Sequence, residues 1–199
     1  MMRLGVYGGS FDPIHYGHLR LAESLRESHA LDRVLFVPAF VSPFKVGETG
    51  TPPMVRAELV RLAIDDNPHF ALWTGELDQN RPSYTVDTLR RLRTENPDAE
   101  LFFLLGFDAL QGIPGWREPE ALLKLARFVA ATRPGTTETQ VRDAIPDGWE
   151  DAIDFVKIPP LDLSSTEIRD MAAEGKSLRY LTPPAVAEQI DVRRLYKPG

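Results

Sequence analysis

The sequence predicts an α/β fold in which helices cover both faces of a parallel β-sheet, a doubly wound, Rossmann-like arrangement. Two observations predict it. Short, continuously apolar segments alternate along the chain with longer amphipathic segments, and strands that are buried on both faces show this continuous pattern. A glycine turn also follows the first apolar segment directly, in the position where open parallel sheets bind phosphate groups.

The apolar segments are predicted to be strands, joined by right-handed crossovers that contain helices. The strands are expected at residues 3–7, 33–38, 70–73, 101–105, 128–131 and 155–158. The carboxyl ends of parallel strands lie at one edge of the sheet, and ligands of this architecture bind at that edge. Unusual segments follow several of these strands, which predicts one shared site formed by residues 8–18, 38–45, 106–108 and Arg133.

The amphipathic segments predict helices at residues 12–29, 54–65, 84–95, 119–125, 139–145, 164–174 and 184–190. Asp12 before Pro13 has the pattern of an N-cap followed by proline in the first turn. Near the other end, Ser164 and Glu167 form a capping box, and Gly175 marks the end of that helix. The last two helices form a small helical C-terminal part. Because no linker divides the chain, residues 1–199 are predicted to be a single domain.

Composition excludes several classes of function. The chain has no cysteine, so it has no disulfide, thiol nucleophile or thiolate metal site. Its net charge of −6 argues against nucleic acid as a partner. The first strand begins near Met2, which leaves no room for a signal peptide, and no apolar run approaches the roughly 20 residues of a membrane span. We therefore expect a cytoplasmic protein with no membrane partner.

The segment 8–18, with its glycine turn and two histidines, is the most informative part of the chain. Backbone N–H groups at such a turn and at a helix N-terminus favour negative charge, so the segment indicates phosphate chemistry. His15 and His18 add proton-bearing donors at the same place. Metal binding by this pair is disfavoured, because neither His29 nor His69 follows a ligand pattern. No metal site is predicted.

Two segments resemble the signatures of the nucleotidylyltransferase superfamily, and the resemblance runs over nearly the whole chain. The first reads Gly8-Gly9-Ser10-Phe11-Asp12-Pro13-Ile14-His15-Tyr16-Gly17-His18, and the second reads Ser164-Ser165-Thr166-Glu167-Ile168-Arg169. Within the superfamily the chain is most similar to bacterial nicotinate-nucleotide adenylyltransferases. The segments that carry this closer similarity are Ser83-Tyr84-Thr85-Val86-Asp87-Thr88-Leu89, Gly106-Phe107-Asp108, Trp116 and Arg133-Pro134-Gly135.

One departure from the family is visible after the second strand. The family often has Pro-Pro-His-Lys there, and this chain has Ser42-Pro43-Phe44-Lys45. The lysine is present and the histidine is absent.

The resemblance implies a fold of the nucleotidylyltransferase type and a reaction in NAD biosynthesis. AMP would pass from ATP to nicotinate mononucleotide, giving deamido-NAD and pyrophosphate, with Mg²⁺ carried by the ATP phosphates. Two alternatives stay open: the same reaction on nicotinamide mononucleotide, and a non-catalytic nucleotide-binding module of the same fold. The oligomeric state is also open, with a homodimer as one alternative.

The expected chemistry needs donors but no general base, because the attacking phosphate oxygen is already an anion. His18 is expected to donate to the α-phosphate of ATP and His15 to a neighbouring oxygen. The resemblance assigns the catalytic role to His15, His18, Lys45 and Arg169. It assigns ATP binding to Gly8, Gly9, Ser10, Phe11, His15, His18, Gly106, Asp108, Arg133, Ser164, Ser165, Thr166 and Arg169. It assigns the mononucleotide to Ser10, Lys45, Thr85 and Trp116.

Three of the assignments outside the two signatures have a purely structural alternative. Thr85 and Asp108 stand where each could cap a helix, and Trp116 could be a core residue. Ser164 can act as an N-cap and as part of a phosphate site at the same time.

Overall fold

Six parallel strands form one sheet in the computed structural model, which describes residues 1–42, 50–79, 81–132, 135–159 and 161–197. The strands are β1 (Met2–Gly9), β2 (Arg33–Pro38), β3 (Phe70–Leu72), β4 (Ala99–Gly106), β5 (Arg127–Thr132) and β6 (Ile153–Lys157). Their order across the sheet is β3-β2-β1-β4-β5-β6. All neighbouring pairs are parallel. The predicted Rossmann-like sheet is therefore confirmed, and the strand order reverses between β1 and β4, where this fold opens a crevice.

The connections between the strands contain most of the helices. These are α1 (Tyr16–Ser28), α2 (Pro53–Ile64), α3 (Thr85–Glu95), α4 (Phe107–Leu110), α5 (Pro119–Leu125), α6 (Glu138–Asp143), α7 (Ser165–Ala173) and α8 (Pro184–Val192). In the described ranges, none of them is both long and apolar enough to cross a bilayer.

Two apolar cores lie on opposite faces of the sheet, and β4 contributes to both. Leu101, Phe103 and Leu105 face one core together with the buried side of α3. Phe102 and Leu104 face the other, which α1, α2, α7 and α8 cover. This alternation is the period of two that a strand imposes on its side chains. It explains why β4 reads as a continuous apolar run in the sequence.

Helix α1 begins at Tyr16, four residues later than the Asp12–Pro13 pattern predicts. The prediction was wrong because side chains from far along the chain bond the carbonyls of the preceding loop. Arg169 donates to the carbonyl of Asp12 (2.8 Å) and Ser165 to that of Pro13 (2.9 Å). The buried hydroxyl of Thr182 donates to the carbonyl of Ile14 (2.7 Å). The loop is therefore held by tertiary contacts instead of by a first helical turn.

Helix α7 begins and ends where the sequence predicts. The hydroxyl of Ser164 accepts a hydrogen bond from the backbone N–H of Glu167 (3.1 Å), which caps the first turn. Gly175 follows the helix with a φ of +70°, a left-handed conformation that glycine adopts without a steric penalty. Both ends of this helix are thus determined locally.

A charged cluster ties the edge strand β6 to the rest of the sheet at its amino end. The guanidinium of Arg127 donates through two nitrogens to the carboxylate of Asp154, one of them at 2.5 Å. His29, at the end of α1, lies 3.1 Å from the same carboxylate through Nε2. The Arg127 hydrogen bonds hold the pKa of Asp154 below its usual value, and the contact with His29 lowers it further.

We expect Asp154→Asn to lower the free energy of unfolding by about 1 kcal/mol at neutral pH, the size of a well-oriented but partly exposed ion pair. Because the pKa of Asp154 is depressed in the folded chain, its contribution is complete above about pH 4 and is lost as the pH falls through the folded value. Urea unfolding at several pH values measures this. Asp98→Asn, which alters an exposed carboxylate, is the control. An equal effect of Asp154→Asn at neutral and strongly acidic pH would contradict the assignment.

Candidate active site

Three adjoining depressions open at the carboxyl edge of the sheet, beside the point where the strand order reverses. The histidine cleft, of 400 Å³, is lined by His15 and His18 together with residues after β4 and β5 and before α7. The aromatic pocket, of 240 Å³, lies between the glycine turn, the start of α3 and Trp116. The arginine pocket, of 530 Å³, contains Arg56 and Arg169. Ser10 lines both the aromatic and the arginine pockets.

The histidine cleft brings together the two signature segments of the sequence. His15 and His18 line one wall, and Ser164 and Ser165 line another. Gly106, at the end of β4, and Asp108, at the start of α4, also line the cleft. Residues of β5 and of the loop before α7 contribute to the same lining. Segments about 150 residues apart in the sequence therefore face the same space.

The two histidine rings stack closely, with centroids 3.7 Å apart. The backbone N–H of His15 donates to Nδ1 of His18 (3.2 Å), so the neutral His18 ring carries its proton on Nε2. Burial and, to a smaller extent, the neighbouring His15 lower the pKa of His18 to about 3. Burial also lowers the pKa of His15 to about 4. At neutral pH both rings are uncharged and act as N–H donors without a positive charge.

Gly17 lies against the ring of His15. A Cβ atom at this position would come within 2.9 Å of Nδ1 and Cε1 of that ring. Nδ1 of His15 is itself buried and has no hydrogen-bond partner among the described residues. The glycine between the two histidines is therefore required by space, because any side chain there would displace the ring that it touches.

Helix α7 contacts the loop after β1 directly. Arg169 lines the arginine pocket and not the histidine cleft, and its guanidinium bonds the carbonyl of Asp12 and the hydroxyl of Thr166 (3.2 Å). The hydroxyl proton of Ser165 is donated to the carbonyl of Pro13. Two side chains that the sequence assigns to phosphate binding thus also hold the loop that carries the histidines.

The aromatic pocket contains the residues assigned to the mononucleotide that the structure describes. Ser10, Thr85 and Trp116 line it, and the Trp116 ring meets Phe103 edge-on with centroids 6.0 Å apart. Gly8 and Gly9 also line this pocket and are absent from the described lining of the histidine cleft.

Phe11 has a different place from the other residues of its signature. Its side chain is 2% exposed and its ring packs against His18 with centroids 5.2 Å apart, so only its backbone is available to a ligand. Two other expected site residues, Lys45 and Arg133, lie outside the residues that the structure describes. In the described part of the chain, no group of three His, Asp or Glu side chains could hold a metal ion.

Arg56, on α2, belongs to the site although the sequence analysis did not single it out. Its side chain is buried, and it donates to the carbonyls of Ser10 (2.5 Å), Ala39 (2.7 Å) and Phe40 (2.9 Å). Its Nε donates to the carbonyl of Thr51 (3.0 Å). One cation therefore joins the loop after β1, the loop after β2 and the start of α2. One feature of the sequence could have identified Arg56: it stands four positions before Val60, and therefore on the apolar face of the helix.

Glu76 was also missed, and no local sequence pattern marks it. It lines the aromatic pocket, and its carboxyl group accepts a hydrogen bond from the hydroxyl of Thr88. Burial raises the pKa of Glu76, while hydrogen bonds from Ser83 and Thr88 oppose that rise. The hydroxyl of Ser83 in turn accepts from the backbone N–H of Phe40 (2.9 Å). This network links the start of α3 to the loop after β2.

Comparison with known proteins places the chain among nucleotide-transferring enzymes. The family model described as cytidylyltransferase-like matches residues 6–171. A protein of Thermomicrobium roseum named "Probable nicotinate-nucleotide adenylyltransferase" is 42% identical over 198 residues, which cover 99% of this chain and 92% of the relative. A protein of Roseiflexus sp. strain RS-1 with the same name is 41% identical over 199 residues, covering 98% of each chain.

Solved structures share the fold. The nicotinic acid mononucleotide adenylyltransferase of Plasmodium falciparum, solved in complex with NaAD, superposes with a TM-score of 0.78 at 20% identity and covers 98% of each chain. The same protein in complex with APC gives a TM-score of 0.77, also at 20% identity and 98% of each chain. At this identity the likeness supports the fold.

We expect Arg56→Ala to lower the free energy of unfolding by about 3 kcal/mol or more, because it leaves several buried carbonyl groups without a donor. Arg61→Ala, on the exposed face of the same helix, is the matched control and should change stability by less than about 0.5 kcal/mol. Urea unfolding followed by circular dichroism measures both. A similar loss in the free energy of unfolding for the two variants would contradict a stabilising role for the hydrogen bonds of Arg56.

In the folded protein, the imidazole rings of His15 and His18 should stay uncharged at pH values well below 6.5. The pKa of histidine in an unfolded chain is about 6.5. Nitrogen chemical shifts of the histidine side chains, followed from neutral pH downward, measure the charge and the tautomer of each ring. The His18 ring should show a protonated Nε2. Because the unfolded chain takes up protons first, the free energy of unfolding should fall as the pH drops below about 6.5. Titration of both rings near that value in the folded protein would contradict the described burial.

Proposed function

Because the chain belongs to the nicotinate-nucleotide adenylyltransferase family of cytidylyltransferase-like proteins, we propose that it transfers AMP from ATP to nicotinate mononucleotide, giving deamido-NAD and pyrophosphate. The observation that carries the proposal is the histidine cleft, where the two signature segments face one space. Relatives more than 40% identical over almost the whole chain carry the name of this activity.

The proposed reaction needs a site that holds two anions and stabilises charge as it develops. A phosphate oxygen of the mononucleotide attacks the α-phosphorus of ATP, the bond to the bridging oxygen breaks, and pyrophosphate leaves with that electron pair. The nucleophile is an anion at neutral pH, so the site supplies hydrogen-bond donors and positioning instead of a base. Uncharged His18, with its proton on Nε2, donates to the α-phosphate in this proposal.

Helix α7 would hold the outer phosphates of ATP. Backbone N–H groups at the start of a helix favour negative charge, and Ser164 and Ser165 line the cleft at that start. Thr166 follows Ser165 in the first turn, and Arg169 lies one turn further along the helix. Arg169 reaches the arginine pocket beside the loop, where it would assist by keeping that loop in place and by its charge.

The pyridine ring of the mononucleotide would occupy the aromatic pocket. Trp116 and Thr85 would contact this ring, and Ser10 stands between this pocket and the arginine pocket, on the path from ring to phosphate. Lys45 is proposed for the mononucleotide phosphate and Arg133 for ATP, as the resemblance implies. Gly106 and Asp108 line the histidine cleft beside His18, where the nucleoside part of ATP would lie.

Mg²⁺ is expected to be held by the phosphates of ATP. The described residues offer no cluster of three carboxylate or imidazole ligands, so a site built mainly from protein ligands does not fit this part of the chain. When bound with ATP, the ion would neutralise charge on the leaving pyrophosphate. Nothing else in the proposed mechanism depends on it.

Release of pyrophosphate from ATP in the presence of nicotinate mononucleotide tests the proposal. His18→Ala should lower kcat by at least about 100-fold, the approximate loss when one transition-state donor is removed, while the protein stays folded. His69→Ala is the matched control, because it removes an exposed histidine at the start of β3, at the opposite edge of the sheet. Wild-type protein that binds ATP but releases no pyrophosphate with any mononucleotide would instead support a non-catalytic nucleotide-binding module.

A further inference from the structure

We propose that the guanidinium of Arg117, at the mouth of the aromatic pocket, binds the ring carboxylate of the mononucleotide and so makes the protein select the acid over the amide. The inference rests on the proposed function, because it concerns the substrate of that same site. The names of the relatives give the acid as the substrate but do not give the residue that selects it. A charged side chain that lines the pocket can make that selection.

The aromatic pocket has the size of one ring and not of a whole nucleotide. Its 240 Å³ lies below the roughly 300–1,000 Å³ of pockets that enclose drug-sized ligands. Phe103, Tyr84 and Trp116 supply apolar wall, and Thr85 and Thr88 supply hydroxyl groups. A ring substituent is therefore close to the wall whichever way the ring is turned. The charges on that wall decide whether a carboxylate or an amide is preferred.

Arg117 and Glu76 are the charged side chains that line this pocket in the described part of the chain. The Arg117 side chain is 49% exposed, so it lies at the mouth, and its guanidinium sits 4.8 Å from the centre of the Tyr84 ring. The ring face attracts a cation and holds the guanidinium beside the pocket. Because Arg117 directly follows Trp116, the proposed cation and the proposed stacking ring come from the same stretch of backbone.

The carboxylates near Arg117 each have a closer cation. Asp87 lies 3.8 Å from Arg117 and 3.3 Å from Arg81. Glu118 lies 3.9 Å from Arg117, whereas Arg90 bonds both of its oxygens at 2.7 and 3.0 Å. Arg81 and Arg90 thus lie closer to these two carboxylates than Arg117 does, so the carboxylates neutralise the charge of Arg117 only in part. Arg117 contacts both carboxylates beyond normal hydrogen-bond length, so its donors are free to turn toward a ligand.

Glu76 does not offset this charge at the mouth. It is less exposed than Arg117, and the hydroxyl groups of Thr88 and Ser83 bond its carboxyl group. A ligand carboxylate is attracted by Arg117, which orients the ring with its carboxylate toward the mouth. A carboxamide carries no charge and does not gain this attraction. The acid form therefore forms a charge-assisted hydrogen bond that the amide cannot.

The test compares kcat/KM for nicotinate mononucleotide and nicotinamide mononucleotide in wild-type protein, Arg117→Ala and Arg117→Lys. Arg117→Ala should lower the ratio of acid to amide by about tenfold, mostly through KM for the acid, since one charge-assisted hydrogen bond is lost. Arg117→Lys should keep most of the preference because it keeps the charge. The wild-type preference should also weaken as salt is raised, since the pair is half exposed, and that of Arg117→Ala should not.

Arg61→Ala is the control for loss of an arginine, and it should leave the ratio unchanged. An unchanged ratio in Arg117→Ala, or an equal loss of activity on both mononucleotides, would overturn the inference while leaving the proposed function intact. A wild-type preference for the amide would overturn it too. If wild-type protein releases pyrophosphate with neither mononucleotide, the proposed function itself fails. The outcomes are therefore distinguishable.

Discussion

The hydrogen bonds to the loop between β1 and α1 are the constraint on which the site depends. Three consecutive carbonyl groups, of residues 12 to 14, accept bonds from side chains more than 150 positions later in the chain. The hydroxyl of Tyr196 also donates to the side chain of Asp12 (2.7 Å). These bonds hold the loop against α7, across the histidine cleft. The position of His15 and His18 is thus a tertiary property, although the two residues are only three positions apart in the sequence.

Burial keeps the two histidines of the cleft uncharged at neutral pH. The two rings stack on each other and the His18 ring packs against Phe11. Burial keeps water away and lowers the pKa of both rings. A neutral donor with one defined proton is oriented before a ligand arrives, because the backbone of His15 already fixes the tautomer of His18. In a protein with a net charge of −6, positive charge comes from arginine side chains at particular points of the edge instead of from the histidines.

The sequence predicted those parts of the molecule that local rules determine. Each predicted strand is present, because a strand that is buried on both faces must be continuously apolar. The start of α7 was predicted from Ser164, since the capping hydroxyl and its N–H partner are three residues apart. The start of α1 was not, because residues 165 to 182 decide it. For the same reason, the partners of Arg56 could not be read from α2 alone.

The candidate site also contains some residues that local sequence patterns predict and others that they do not. The residue pattern near His15 and His18 predicted phosphate chemistry directly. The aromatic pocket needed the family resemblance for Thr85 and Trp116, because a threonine at the start of a helix and a partly buried tryptophan are common in any fold. Arg117 and Glu76 show their significance only once the charges around Tyr84 and Thr88 are placed in space.

The long reach of the bonds to residues 12–14 has a consequence for biosynthesis. The ribosome makes this loop well before its partners, Ser165, Arg169 and Thr182, which follow it by more than 150 positions. Strands β1, β2 and β4 also precede those partners in the chain. Assembly of the cleft is therefore a late event in the synthesis of each molecule, and a product terminated before α7 lacks the bonds that order the loop.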